Sequence, residues 1–114
     1  MQLSNQDVYT LIQVKHDIQR SVYLPISIKD ILRSTDLSET RLTQGFKFLY
    51  QHTVSRYHLV VSMEYAYTLL TDGLPVKEVA IKLGYRSQSH FNRSFRQIFN
   101  MPPSFINRNI NAVN

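Results

Sequence analysis

One spacing of apolar residues occurs twice in this chain, and it leaves few folds open. Ile28, Ile31, Leu32 and Leu37 recur 48 positions later as Val76, Val79, Ala80 and Tyr85. Ser38, Leu42, Phe46 and Lys47 recur 49 positions later as Ser87, Phe91, Phe95 and Arg96. Steps of three and four belong to helices that bury one stripe. The break between the sets reads as a turn, at Thr35-Asp36 in the first copy and at Gly84 in the second, where Arg86 is the extra residue. Two copies are too few to stack as a solenoid. They predict two small helix pairs, each bent about a tight turn, with a spacer between them.

The spacer reads as one helix. Val54 to Asp72 carries Tyr57, Val60, Val61, Met63, Tyr65, Ala66, Leu69 and Leu70 at helical spacing, and Gly73 stops it as a C′ glycine. Pro75 sits where a first helical residue would, opening a helix with Val76, Val79, Ala80 and Leu83 inward. Upstream, Asp7 to Arg20 predicts a first helix with Val8, Leu11, Ile12, Lys15 and Ile18 near one face, broken by Tyr23-Leu24-Pro25. Ser27, Ser38 and Ser87 are placed to cap the helices that follow them. Met101-Pro102-Pro103 ends the last long helix and starts a short one through Arg108, and the tail from Asn109 reads as frayed. The expectation is an all-α fold of about seven helices. Two helix-turn-helix subdomains, residues 1–53 and 73–114, are joined by a linker helix over 54–72.

Composition narrows the function classes. A chain of 114 residues suits one domain or two very small ones sharing an element. It has no Cys, which removes disulfides, thiol nucleophiles and Cys-based zinc sites. No apolar run approaches the roughly 20 residues that span a membrane. The start MQLSNQDVYT lacks the basic and apolar segments of a signal peptide, so a cytoplasmic protein is expected. His16, His52, His58 and His90 lack metal-ligand spacing, there is no Gly-rich phosphate loop, and Ser89-His90 is no nucleophile–base pair. Neither an enzyme nor a cofactor is expected. Charge is uneven. Residues 1–76 hold equal numbers of acids and bases, whereas 77–114 hold six Lys/Arg against Glu78 alone, so the whole net charge of +5 lies in the last third. A local basic field suits a polyanion.

The polar faces of the two repeated second helices point to the same partner. On the helix starting at Ser87, Phe91, Phe95, Ile98 and Phe99 form the inward stripe. Ser89, Arg93, Arg96 and Gln97 lie opposite, with His90 beside them and Gln88 in the first turn. Arg93 suits a bidentate contact to guanine O6/N7, and Gln88 one to adenine N6/N7. Arg96 and Arg86 are better placed for phosphates, which position a protein without specifying sequence. In the first copy, Thr40, Arg41, Gln44, Lys47 and Phe48 lie opposite Leu42, Phe46 and Leu49. Gln44 takes the place of Arg93, and Thr40 and Thr43 suit a thymine methyl or a hydrogen bond. Phe48 is out of place on this side unless it packs on the first or the long helix. The nineteen residues of 54–72 would span about 28 Å at ~1.5 Å per residue. One turn of B-DNA is about 34 Å, so reading helices at 38–50 and 87–99 are expected to enter successive major grooves. The alternative is a helical protein-interaction module that offers its basic C-terminal face to an acidic partner.

The stretch VKEVAIKLGYRSQSHFNRSFRQIFNMPPSFI resembles the DNA-binding domain of the AraC/XylS family of bacterial transcription regulators. It resembles that family's signature of I-x-x-[IV]-A, then G-[FY]-x-S-x-S-x-F-x-R-x-F-[KR], then P-x-x-[YF], with Val76 at the first position. Residues 57–70 resemble its linker helix, and LSETRLTQGFK its first reading helix. The resemblance runs from about residue 7 to 108. It implies seven helices and base contacts from Thr40, Thr43 and Gln44 and from Gln88, Ser89, Asn92 and Arg93. Phosphate contacts are expected from Arg41, Lys47, Arg86, Ser87, His90 and Arg96. It also implies double-stranded promoter DNA as partner and activation through RNA polymerase. In most members an N-terminal effector or dimerisation domain precedes this one, so the chain is expected to be either a stand-alone member or the C-terminal domain of a longer regulator. TRLTQGFK and GYRSQSHF look most like members that answer siderophores. The chain departs from the pattern at Ser62, where an Arg is usual, at Ile106-Asn107, where Tyr-Arg is usual, and at Gln51 and Asn100, where a Gly follows each reading helix.

Overall fold

A computed structural model describes residues 2–22 and 27–106. Six helices follow one another: α1 Asn5–Arg20, α2 Ile28–Arg33, α3 Glu39–Tyr50, α4 Val54–Thr71, α5 Val76–Lys82 and α6 Gln88–Phe99. A seventh, α7, covers 103–106. No strand occurs among the described residues. The all-α expectation with seven helices therefore holds. The Tyr23-Leu24-Pro25 break and the tail beyond 106 lie outside the described residues.

Local chemistry sets the helix starts. Ser4 caps α1 through a reciprocal box: its Oγ accepts from the Asp7 N–H at 3.0 Å, and the Asp7 carboxylate accepts from the Ser4 N–H at 3.1 Å. Asp7 is thus the third residue of α1 rather than its first. Ser38 and Ser87 take the same role for α3 and α6, each accepting from the backbone three residues on. Thr53 does so for α4. Pro75 lies one position earlier than expected, as the extended N-cap of α5. Gly73 closes α4 at φ +97°, where Leu74 N–H donates to Leu69 C=O and Gly73 N–H to Leu70 C=O. This pair of bonds satisfies the last carbonyls and needs a left-handed residue.

The described residues fall into two compact units. The first takes α1, α2, α3 and the start of α4 to His58, and the second takes Val22 and everything from Leu59. Leu11, Val14, Ile18, Leu42, Phe46 and Val54 are buried in the first unit. The Phe46 ring stacks against Tyr50 and Tyr57 at 4.8 and 5.7 Å. The stripe of α1 runs through Leu11, Val14 and Ile18, and Ile12 turns outward. Gly45 faces that stripe at Leu11. A Cβ there would lie 2.9 Å from Leu11 Cδ1, so α1 approaches α3 at a point with no side chain. A mid-helix glycine costs about 1 kcal/mol relative to alanine, a penalty offset here by that close approach.

In the second unit, Met63, Ala66, Leu69 and Leu70 of α4 pack with Val79, Ala80, Leu83, Phe91, Phe95 and Ile106. The rings of Tyr85, Phe91, Phe95 and Phe99 run in sequence with centroids 4.8–5.9 Å apart. Ser62, at the position of an expected arginine, is buried and donates its hydroxyl to Val22 C=O at 2.8 Å. Within α4, Val54 is buried in the first unit, and Met63, Ala66, Leu69 and Leu70 in the second. No helix among the described residues is long and apolar enough to cross a membrane.

Candidate nucleic-acid interface

Each unit presents one helix whose buried stripe is narrow and whose opposite face is mostly polar or basic, with Phe48 the exception on α3. On α6 the buried side chains are Phe91 and Phe95, with Ile98 and Phe99 half-buried beside them. Gln88, Ser89, His90, Arg93, Arg96 and Gln97 are exposed. Ser89, Asn92, Arg93 and Arg96 line one shallow open depression. Arg86, Arg93 and Arg96 have no hydrogen-bond or ion-pair partner among the described residues. Ser87 Oγ accepts from the His90 N–H at 3.2 Å, which leaves its hydroxyl proton to donate outward.

Asn92 differs from its neighbours. It is half-buried, and its Oδ1 is covered without a hydrogen-bond partner among the described residues. A buried polar atom left unpaired costs on the order of 1–3 kcal/mol. Rotating the amide outward removes that cost and would present both donor and acceptor to a base edge.

On α3 the inward residues are Leu42, Gly45 and Phe46. Thr40, Thr43, Gln44 and Lys47 are exposed on the opposite side. Thr43 Oγ1 donates to Glu39 C=O at 2.9 Å, which leaves its methyl and lone pair to a ligand. Phe48 does not pack into the core. It is 57% exposed and flanks a depression shared with Leu3, Val8, Arg41 and Leu49 beside the start of α1.

Arg41 is held differently from every other expected contact. Its guanidinium donates to the Asp7 carboxylate at 2.5 Å and to Gln2 C=O at 3.0 Å. That guanidinium, first, and the Ser4 N–H, second, hold the Asp7 carboxyl below its ordinary value of 3.8. The structure thus brings Thr40, Thr43, Gln44 and Lys47 to one face of α3, and Gln88, Ser89, Arg93 and Arg96 to one face of α6. Arg41 it turns toward α1. Sequence reasoning missed Asp7 and Gly45. Ser4-x-x-Asp7 is a capping-box spacing, and a glycine inside an apolar-periodic helix marks a close packing partner.

Residues 31–109 match the family model described as a helix-turn-helix domain. The transcriptional regulator CdhR of Pseudomonas aeruginosa is 29% identical over 96 residues, which cover 82% of this chain and 28% of that protein. The multiple antibiotic resistance protein MarA of Escherichia coli is 26% identical over 104 residues, covering 90% of this chain and 82% of its own length. In fold, the chain is similar to a probable AraC family transcriptional regulator from Rhodopseudomonas palustris, with a TM-score of 0.78 at 24% identity over 90% of this chain and 97% of that one. The chain thus spans little more than a quarter of CdhR and most of MarA.

Proposed function

The chain belongs to the AraC-type helix-turn-helix family and is a DNA-binding domain of transcription-regulator type, and from that premise we propose that it reads double-stranded promoter DNA with α3 and α6, one helix from each unit. The observation that carries the proposal is the α6 face: Arg86 just before the Ser87 cap and Arg93 and Arg96 along the helix, none with a side-chain partner among the described residues, with Gln88, Ser89 and Asn92 between them. Base contacts come from Thr40, Thr43, Gln44, Gln88, Ser89, Asn92 and Arg93. Phosphate contacts come from Lys47, Arg86, Ser87, His90 and Arg96. Arg93 and Gln44 occupy equivalent positions on the two helices and prefer different bases, so the site is asymmetric.

The length that CdhR has beyond this match supports a preceding effector or dimerisation domain in the same regulator. Activation through RNA polymerase, a siderophore as effector and a cytoplasmic location complete the proposal. Selection from random duplex DNA tests its core. The expected result is an enriched asymmetric site whose binding weakens steeply with salt. Equal binding to all duplexes, with capture of an acidic protein partner instead, would replace DNA reading by protein interaction.

A further inference from the structure

Arg41 is the one arginine of α3, and its position on α3 corresponds to that of His90 on α6. Its Nη2 donates to both Asp7 Oδ2 and Gln2 C=O. The carboxylate cannot follow the guanidinium outward, because the capping box fixes it: Oδ2 also accepts from the Ser4 N–H, and the Asp7 N–H donates to Ser4 Oγ. The Asp7 side chain is only 16% exposed, whereas that of Arg41 is 45% exposed. Moving Arg41 to a phosphate would exchange a neutralised pair for an uncompensated, largely covered carboxylate beside the DNA. His90 has no acidic partner among the described residues.

We propose that Asp7 withholds Arg41 from DNA, so that α3 binds with one phosphate contact fewer than its sequence offers. The proposal rests on the DNA-binding reading above. Asp7 is thereby a positioning residue that touches no DNA and sets the weaker grip of the first unit. The pair also ties the start of α1 to α3 next to Gly45, so the latch and the close approach of the two helices act at one place.

A double-mutant cycle on the full chain tests this, read with a mixed-sequence duplex and with a selected one across a salt series. Asp7→Asn keeps an amide oxygen for the Ser4 N–H and removes the charge. It should bind both duplexes about 3–10-fold more tightly, with the log–log salt slope steeper by about 0.9 and no change in base preference. Arg41→Ala alone should leave the salt slope unchanged, since its guanidinium makes no phosphate contact, although the carboxylate it strands should weaken both duplexes alike. Asp7→Asn/Arg41→Ala should return to the parent affinity. Asp7→Gln, which also suits the third position of a capping box, repeats the test should the Asn variant not fold. Unchanged affinity and slope in both Asp7 variants overturn the proposal. So does a gain that survives in the double variant, which would be a field effect, or an Arg41→Ala chain that loses one phosphate from its slope. Without DNA, NMR titration of the Asp7 carboxyl should move up toward 3.8 in Arg41→Ala. A carboxyl that does not move overturns the pairing alone, and a parent chain that binds no duplex overturns the DNA reading itself.

Discussion

In the first unit Arg20, Arg33 and Arg41 each pair with an acid of the same unit, Asp17, Asp30 and Asp7. In the second, Arg86, Arg93 and Arg96 have no such partner among the described residues. The turns differ as well. Gly84 makes the second turn at φ +81°, with Tyr85 N–H donating to Ala80 C=O. The first turn uses no glycine: Ser34 Oγ donates to Ile31 C=O, and Thr35 Oγ1 accepts from the Leu37 N–H. What the copies share is what the helices need. Both second helices start on a serine cap and end on a left-handed residue, Gln51 at φ 60° and Asn100 at φ 58°. The lesson is that a repeated helical plan constrains caps and stripes, while the solvent face is free to diverge from paired to unpaired charge.

The largest test asks whether the units stand on separate cores. Phe46→Ala and Phe95→Ala should each cost about 3–5 kcal/mol, since both side chains are fully buried. NMR of Phe46→Ala should lose the signals of Leu11 and Leu42 before those of Leu70 and Phe91. Simultaneous loss of both sets would break the comparison. Next, Arg93→Ala should weaken specific binding by about 1–3 kcal/mol and relax one base position, with Gln44→Ala at the low end of that range. Equal losses from the two would mean that both helices grip alike. Smaller again, Arg96→Ala should weaken all duplexes together and flatten the salt slope by about 0.9.

Smallest in equilibrium terms, Gln51→Gly should raise stability by about 0.5–1 kcal/mol, because a left-handed residue with a Cβ is strained. Asn100→Gly should gain less, since asparagine visits that region more readily. A denaturant series in which Gln51→Gly loses stability would show that its side-chain bond to Phe48 C=O outweighs the strain. Acid unfolding sharpens the contrast in charge. The folded Asp7 carboxyl sits below 3.8, so its ionised form stabilises the chain above that value. The contribution is lost as pH falls below 3.8 through the lowered value. Asp7→Asn should therefore flatten that acidic limb, and an unchanged limb would remove the pair from the account of the first unit.

Much of this was legible in residue order. The serine caps, the Phe91–Phe95 stripe, the Gly73 stop and the polar faces of α3 and α6 follow from neighbours within one or two helical turns. The side of α1 that is buried did not, because Ile12 and Val14 both fit a helical stripe with Leu11 and Ile18, and only packing within the first unit buries Val14 and leaves Ile12 outward. The state of Arg41 was equally hidden, since its partner lies 34 positions away.

By itself, then, the sequence determined the helices, their ends and the two faces that suit DNA. Those depend on hydrogen bonds between close neighbours and on a period of 3.6 residues. Only the tertiary structure decided that Arg41 is not free. A charge is paired or available according to what the folded chain sets beside it, and folding set Asp7 beside Arg41.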